Sequence, residues 1–337
     1  MRTPTRALAE AEDRVVDPVR RVVAAAPLPR ALRLPGTVVL PGPVHRSVRL
    51  PLTHRRRRAA VVRRAAALAV PLGAVAAGYA VVVRRPSGGD VVARMTHREA
   101  SPEGGAGREA LPPVVLVHGL GMSSASLARL VRVLGRSTRT LAPDLPGYGR
   151  SPQPREGMLD VQQLGQAVVA WMRRADVGPA VLVGHSLGSQ VVAEVALQAP
   201  ELVRRLVVVA PTGDPALPKV RWLAGHLVAD ALRERPTIWG VAAVDYLRAG
   251  PGQMVALMRR ALVRAQQEVD ARLDVPVLVL RGDQDTVCRA AWCRQLAETL
   301  PDGRYVEVTG AHGVAHDAGP DLVRLVLDEA RAAVRDR

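Results

Sequence analysis

A-V-L-V-G-H-S-L-G-S-Q, Ala180 to Gln190, is the stretch on which the fold turns. The apolar run Ala180 to Val183 leads directly into Gly184-His185-Ser186-Leu187-Gly188, and an Ala/Val/Leu-rich stretch with helical spacing follows from Ser189 to Ala199. This pattern predicts a strand, a sharp turn and a helix, with Ser186 at the apex. A serine on so tight a turn has a strained backbone. Side chains two positions before and after it would collide with the neighbouring strand and helix, and glycine at 184 and 188 removes them. The Ser186 hydroxyl is then pushed out over the sheet edge, as a nucleophile requires. Taken alone, G-x-S-x-G is also an ordinary loop pattern; the strand before it and the helix after it favour the nucleophile.

On either side the same alternation recurs. Apolar runs at 113–118, 139–143, 203–209, 275–280 and 304–308 read as strands, and helical patterns at 123–134, 160–174 and 321–334 lie between and after them. Asp90 to Glu99 reads as a first strand. Repeated strand-helix alternation predicts a mainly parallel sheet with helices on both faces, an α/β fold. Between about 215 and 274 the alternation is interrupted by some sixty residues of helical pattern.

Three glycine-rich loops fall at strand ends: His118-Gly119-Leu120-Gly121-Met122, Asp144-Leu145-Pro146-Gly147-Tyr148-Gly149-Arg150-Ser151, and the turn around Ser186. Together they resemble the oxyanion loop, the D-x-P-G-x-G-x-S turn and the nucleophile elbow of the α/β-hydrolase superfamily, in its serine-nucleophile, esterase- and lipase-like branch. The resemblance runs from about Asp90 to Val334.

The resemblance implies the roles of the remaining residues. The backbone N–H groups of Leu120 and Leu187 would hold the negative oxygen of a tetrahedral intermediate, with Met122 as the alternative donor, and His118 would bond within its loop. The family places its acid in a G-x-x-D turn, which falls on Gly282 and Asp285, with Asp283 capping the turn and Asp214 as the alternative acid at a less common position. A histidine after the last strand completes the chain order Ser…Asp…His. His312, directly after Gly310-Ala311, fits the family's pattern, and His316 is the alternative, otherwise placed beside the pocket. The interruption at 215–274 would be a helical lid. Trp222, Trp239, Tyr246, Met254 and Met258 are candidates to line its pocket, with Met122 and His185 also near the substrate; for each lid side chain, packing within the lid is the plainer reading, and nothing near His226 argues for a role.

Assembled, Ser186 attacks a carbonyl, His312 takes its proton, Asp285 holds the imidazole and water releases the acyl group. The expected reaction is cleavage of a carboxylic ester or related acyl bond in a small-molecule substrate, with no metal or organic cofactor. Serine at the apex counts against the relatives that use aspartate there, haloalkane dehalogenases and epoxide hydrolases. Carbon–carbon bond hydrolases, acyltransferases and haloperoxidase-like enzymes share the same triad, and a non-catalytic ligand-binding homologue shares the fold.

Charge divides the chain. Of the net +16, Met1 to Arg85 carries +13, from 17 arginines and 4 acidic residues, so the body is nearly balanced. Residues 1–64 are basic and proline-rich and read as largely irregular, apart from a short helix near Thr5 to Ala25. Ala65 to Val83 is a 19-residue uncharged stretch between arginines, about the length of a membrane crossing, and is a candidate anchor. Six arginines before it against two after would leave the N-terminus in the cytoplasm. The alternatives are a helix docked on a cytoplasmic body, or arginines adhering to anionic lipid without crossing. Nucleic acid is a poor partner for a tail with so few aromatic residues to stack on bases. Residues 86–337 form the hydrolase-like body. The two cysteines, Cys288 and Cys293, give neither a disulfide framework nor a zinc pattern. If they share one helix, a spacing of five points them to different faces.

Overall fold

The computed structural model describes residues 91–103, 111–154, 157–216, 230, 233–249 and 272–336. The basic N-terminal region, the candidate anchor at 65–83, and Trp222, His226, Met254 and Met258 lie outside them. Among the described residues, no helix is long and apolar enough to cross a membrane.

Seven strands among the described residues form one sheet: β1 (His97–Ala100), β2 (Val114–Val117), β3 (Thr140–Pro143), β4 (Ala180–His185), β5 (Val203–Val209), β6 (Val277–Gly282) and β7 (Gly303–Val308). Their order is β1-β3-β2-β4-β5-β6-β7, and every pairing is parallel except β1 with β3. The central strands are buried on both faces, which is why they read as unbroken apolar runs rather than alternating ones. Alternation reappears in how they are shared between two cores. Leu182, Leu206, Val208 and Val279 pack with α2 (Val161–Arg174), α3 (Leu187–Gln198) and α5 (Ala290–Thr299) on one face. Val181, Val183, Val207 and Leu280 pack with α1 (Ala128–Leu134) and α7 (Pro320–Arg335) on the other. Two further helices, α4 (Pro236–Ala249) and α6 (Val314–Asp317), lie between β5 and β6 and after β7.

Helix ends follow their sequence signals. Asp160 caps α2, accepting the N–H of Gln163 at 2.8 Å, while the Gln163 side chain accepts the Asp160 N–H at 3.0 Å. Pro320 opens α7, whose buried Leu322, Val326, Ala330 and Ala333 recur at helical spacing.

Three local expectations are corrected. The first strand is shorter than Asp90 to Glu99: Val92–Arg94 forms a 3-10 turn and pairing begins only at His97, opposite Pro143, the last residue of β3, so the residues before it have no partner strand. The first helix opens with a 3-10 turn, Ser124–Leu127, before α1. Cys288 and Cys293 do not share a helix. Cys288 precedes α5, so the two buried free thiols approach with Sγ atoms 3.1 Å apart. Burial and the neighbouring thiol raise the Cys288 pKa well above its ordinary value, which keeps it an unreactive thiol.

The strand order reverses between β2 and β4. Loops leaving the carboxyl ends of two such strands part in opposite directions and open a crevice, the usual ligand position in an open α/β sheet. The loop after β2 is His118 to Met122, and the turn after β4 carries Ser186.

Candidate active site

Ser186 sits between β4 and α3 at φ 54° and ψ −119°, a region that a non-glycine residue adopts only when its surroundings hold it there. The two flanking glycines are what hold it. A methyl group on Gly184 would lie 2.4 Å from the Gly188 carbonyl oxygen, and one on Gly188 would lie 2.3 Å from that of Val117. Neither position has room for a side chain, so the strand, turn and helix close tightly and the serine projects.

Two loops from distant parts of the chain complete a relay. Ser186 Oγ lies 3.1 Å from His312 Nε2, and His312 Nδ1 lies 2.9 Å from Asp285 Oδ2. A carboxylate only accepts, so Nδ1 carries the proton and Nε2 presents its lone pair to the serine hydroxyl. Asp285 Oδ1 is held in turn by the N–H groups of Val287 and Cys288, at 2.7 and 2.8 Å. Burial opposes the Asp285 charge, but the His312 cation and these donors outweigh it and hold the carboxyl below its usual range. Burial likewise opposes a charged His312, yet the adjacent Asp285 carboxylate prevails and pushes His312 up to about 9.

The alternatives for acid and base are committed elsewhere. Asp214 makes a two-pronged ion pair with Arg289, at 2.6 and 2.8 Å. His316 donates from Nδ1 to the Ser126 carbonyl at 2.9 Å and accepts the Thr237 hydroxyl at Nε2, 3.1 Å away. Asp283 accepts the Gly310 N–H and so ties the acid turn to the histidine loop.

On the opposite side of Ser186, the loop after β2 packs against the elbow so closely that a methyl group on Gly119 would lie 3.1 Å from Ser186 Cβ. Met122 donates its N–H to the Gly119 carbonyl at 3.3 Å and is committed to the turn. The N–H groups of Leu120 and Leu187 are not used in this way by the described residues. His118 is wholly buried; its Nδ1 donates to the Gly119 carbonyl and its Nε2 accepts the Leu145 N–H, pinning this loop to the 144–151 turn. That turn is centred on Asp144, which accepts the N–H groups of Ser124 and Arg150 at 2.7 and 2.9 Å. Gly149, at φ +55°, leaves no space for a side chain beside the Asp144 carboxyl.

His185 donates from Nε2 to the backbone carbonyl of His312 at 2.8 Å. Burial, with the nearby His312 charge, pushes His185 down to about 4, so its ring stays neutral. Trp239 and Tyr246, both half-buried, stand on α4. Asp245 on the same helix is buried and accepts the Ser123 hydroxyl at 2.6 Å. Sequence reasoning missed Asp230, Glu234 and Asp245, three acidic residues in the segment between β5 and β6. They sit in a helical, alanine- and leucine-rich pattern where an acid reads as a solvated face.

The sheet, its strand order and the loops on its reversal define an α/β-hydrolase fold. A family model described as the alpha/beta hydrolase fold matches residues 112–235, in agreement with the observed architecture. It is 28% identical over 241 residues to the 2-(acetamidomethylene)succinate hydrolase of Mesorhizobium japonicum, covering 63% of this chain and 84% of that protein. It is 36% identical over 107 residues to the uncharacterized hydrolase YugF of Bacillus subtilis, where the match covers 32% of this chain and only 38% of the relative. Among solved structures, the enol-lactonase from Burkholderia xenovorans LB400 superposes with a TM-score of 0.58 at 20% identity, over 70% of this chain and 96% of that one. By architecture the protein has the α/β-hydrolase fold, and the relatives it resembles in sequence include hydrolases.

Proposed function

We propose that the protein is a serine hydrolase that cleaves a carboxylic ester or a related acyl bond of a small molecule through an acyl-enzyme on Ser186. The observation that carries this reading is the unbroken relay from Ser186 Oγ through His312 to Asp285, at 3.1 and 2.9 Å. In this reading His312 accepts the serine proton as Oγ attacks the carbonyl carbon, then returns it to the leaving alcohol, and Asp285 stabilises the imidazolium in between. The N–H groups of Leu120 and Leu187 receive the developing oxyanion. Water, deprotonated by the same His312, then attacks the acyl carbon and frees Ser186. The segment between β5 and β6 acts as a lid, with Trp239 and Tyr246 shaping the acyl side of the pocket.

Hydrolysis of a short and a medium p-nitrophenyl ester across a pH series tests the proposal. His312 accepts a proton only when neutral, so activity falls as pH falls through its folded-state pKa. The acid limb of kcat/KM is therefore expected displaced from the ordinary histidine value of 6.5 toward about 9. Below that limb the rate climbs about tenfold per pH unit. A profile flat between pH 6 and 9, after subtraction of spontaneous hydrolysis, would count against His312 as the base.

A further inference from the structure

Two carboxyl groups stand beside the relay without belonging to it. Asp230 is buried, and its Oδ2 accepts the backbone N–H of His312 at 3.1 Å. Its Oδ1 accepts both the N–H and the hydroxyl of Thr286, the neighbour of Asp285, at 3.2 and 3.3 Å. The turn that carries the acid and the loop that carries the base thus meet on a single carboxylate. The Asp230 carbonyl accepts the N–H groups of Arg233 and Glu234, a turn that brings Glu234 back alongside. Glu234 Oε1 accepts the N–H of Gly313, so two consecutive N–H groups of the histidine loop are taken by two consecutive carboxyls of the lid segment. Gly313 has no side chain where one would lie 2.5 Å from Glu234 Oε2.

We propose that Asp230 and Glu234 are positioning residues for the Ser186–His312–Asp285 relay, a carboxyl pair that hangs the histidine loop and the acid turn on the lid segment. The inference rests on the serine-hydrolase reading of the site. A backbone carbonyl or an amide would satisfy the same N–H groups without burying charge, and two adjacent carboxyls, Asp230 buried and Glu234 half-buried, repel one another unless one of them is protonated. Burial and the Asp230 side chain beside it push Glu234 up to about 8, so at neutral pH the Glu234 carboxyl keeps its proton. After Asp285, this pair is what supports the charged form of His312, the form created when Ser186 attacks. Asp230 and Glu234 therefore bear on the chemistry through the orientation and the charge balance of His312.

The test uses the full-length protein with Asp230→Asn, Glu234→Ala and Glu234→Gln. Glutamine reproduces the protonated glutamic acid, with an oxygen for Gly313 and donors for Asp230. Asp230→Asn and Glu234→Ala are each expected to lower kcat about 10- to 100-fold with KM changed less than about twofold, since a misplaced catalytic group costs rate rather than binding. Glu234→Gln is expected to recover kcat to within about threefold of the unaltered protein, because the protonated form is the working one. Equal damage from Gln and Ala at position 234, or a rise in KM at unchanged kcat, would overturn the proposal. The backbone amide signals of His312 and Gly313 in a nitrogen-15-labelled protein supply a readout that needs no turnover. Displacement of those signals in Asp230→Asn and Glu234→Ala is expected, and signals that stay in place would overturn the proposal. If the unaltered protein shows no turnover while these signals move, the hydrolase reading fails and the positioning contact stands. Should Asp230→Asn fail to fold, the Glu234 pair of variants carries the same comparison.

Discussion

Replacing Ser186 with alanine is expected to lower ester turnover by on the order of 10^4-fold or more while leaving the fold in place. The loss is chemical. Ser186 makes no side-chain capping bond to α3, and among the described residues its one side-chain hydrogen-bond partner is His312, so alanine removes the nucleophile and no structural contact of consequence there. Alanine tolerates the positive φ no worse than serine does, and the glycines that shape the turn are untouched. Burst and steady-state rates with a p-nitrophenyl ester, alongside a thermal melt, separate the two effects. An unchanged melting temperature with activity at background is the expected result. Residual activity within about tenfold of the original would require another nucleophile.

Asp285→Asn is expected to cost about 10^4-fold in kcat, with binding less affected. The asparagine oxygen can keep the N–H groups of Val287 and Cys288, which now hold Asp285 Oδ1. Its amide nitrogen then points at His312 Nδ1, where a carboxylate oxygen stood. Two donors cannot face each other, so His312 is driven to the tautomer with its proton on Nε2, which has no lone pair for Ser186. The loss of the Asp285 charge also removes the main influence that raises His312, so the acid limb of the residual activity shifts downward. The same exchange at Asp214, whose carboxylate is tied to Arg289, leaves turnover largely in place. Rates for the two variants side by side decide which aspartate serves the histidine.

The residues that could be found from sequence are those whose signal is local. Gly184 and Gly188 flank the serine because a side chain at either would strike the neighbouring backbone, and that local constraint is legible in the sequence. Buried parallel strands such as β4 and β6 announce themselves as unbroken apolar runs. Asp285 and His312 follow from the resemblance to the family, on the turn after β6 and the loop after β7, and the structure sets His312 against Ser186 and Asp285 against His312. What stayed hidden depends on contacts between distant segments. The Asp230 to His312 contact joins residues 82 apart, and nothing in the residues around Asp230 distinguishes it from a solvated acid. The edge strand β1 was overextended for a related reason, since its end is set by where β3 stops rather than by its own residues. The cysteine geometry turned on where α5 begins, one residue after Arg289, which periodicity alone does not fix.

The most direct test of the central claim is to treat the full-length protein with a fluorophosphonate and locate the adduct by mass spectrometry. Only a serine activated by a neighbouring base attacks phosphorus quickly, so the label is applied near pH 9, where a substantial share of His312 is neutral. A single adduct on Ser186, absent from the Ser186→Ala and His312→Gln proteins, is the predicted result. A folded protein that takes no label, or takes it on another residue, would contradict the assignment of Ser186 as the nucleophile.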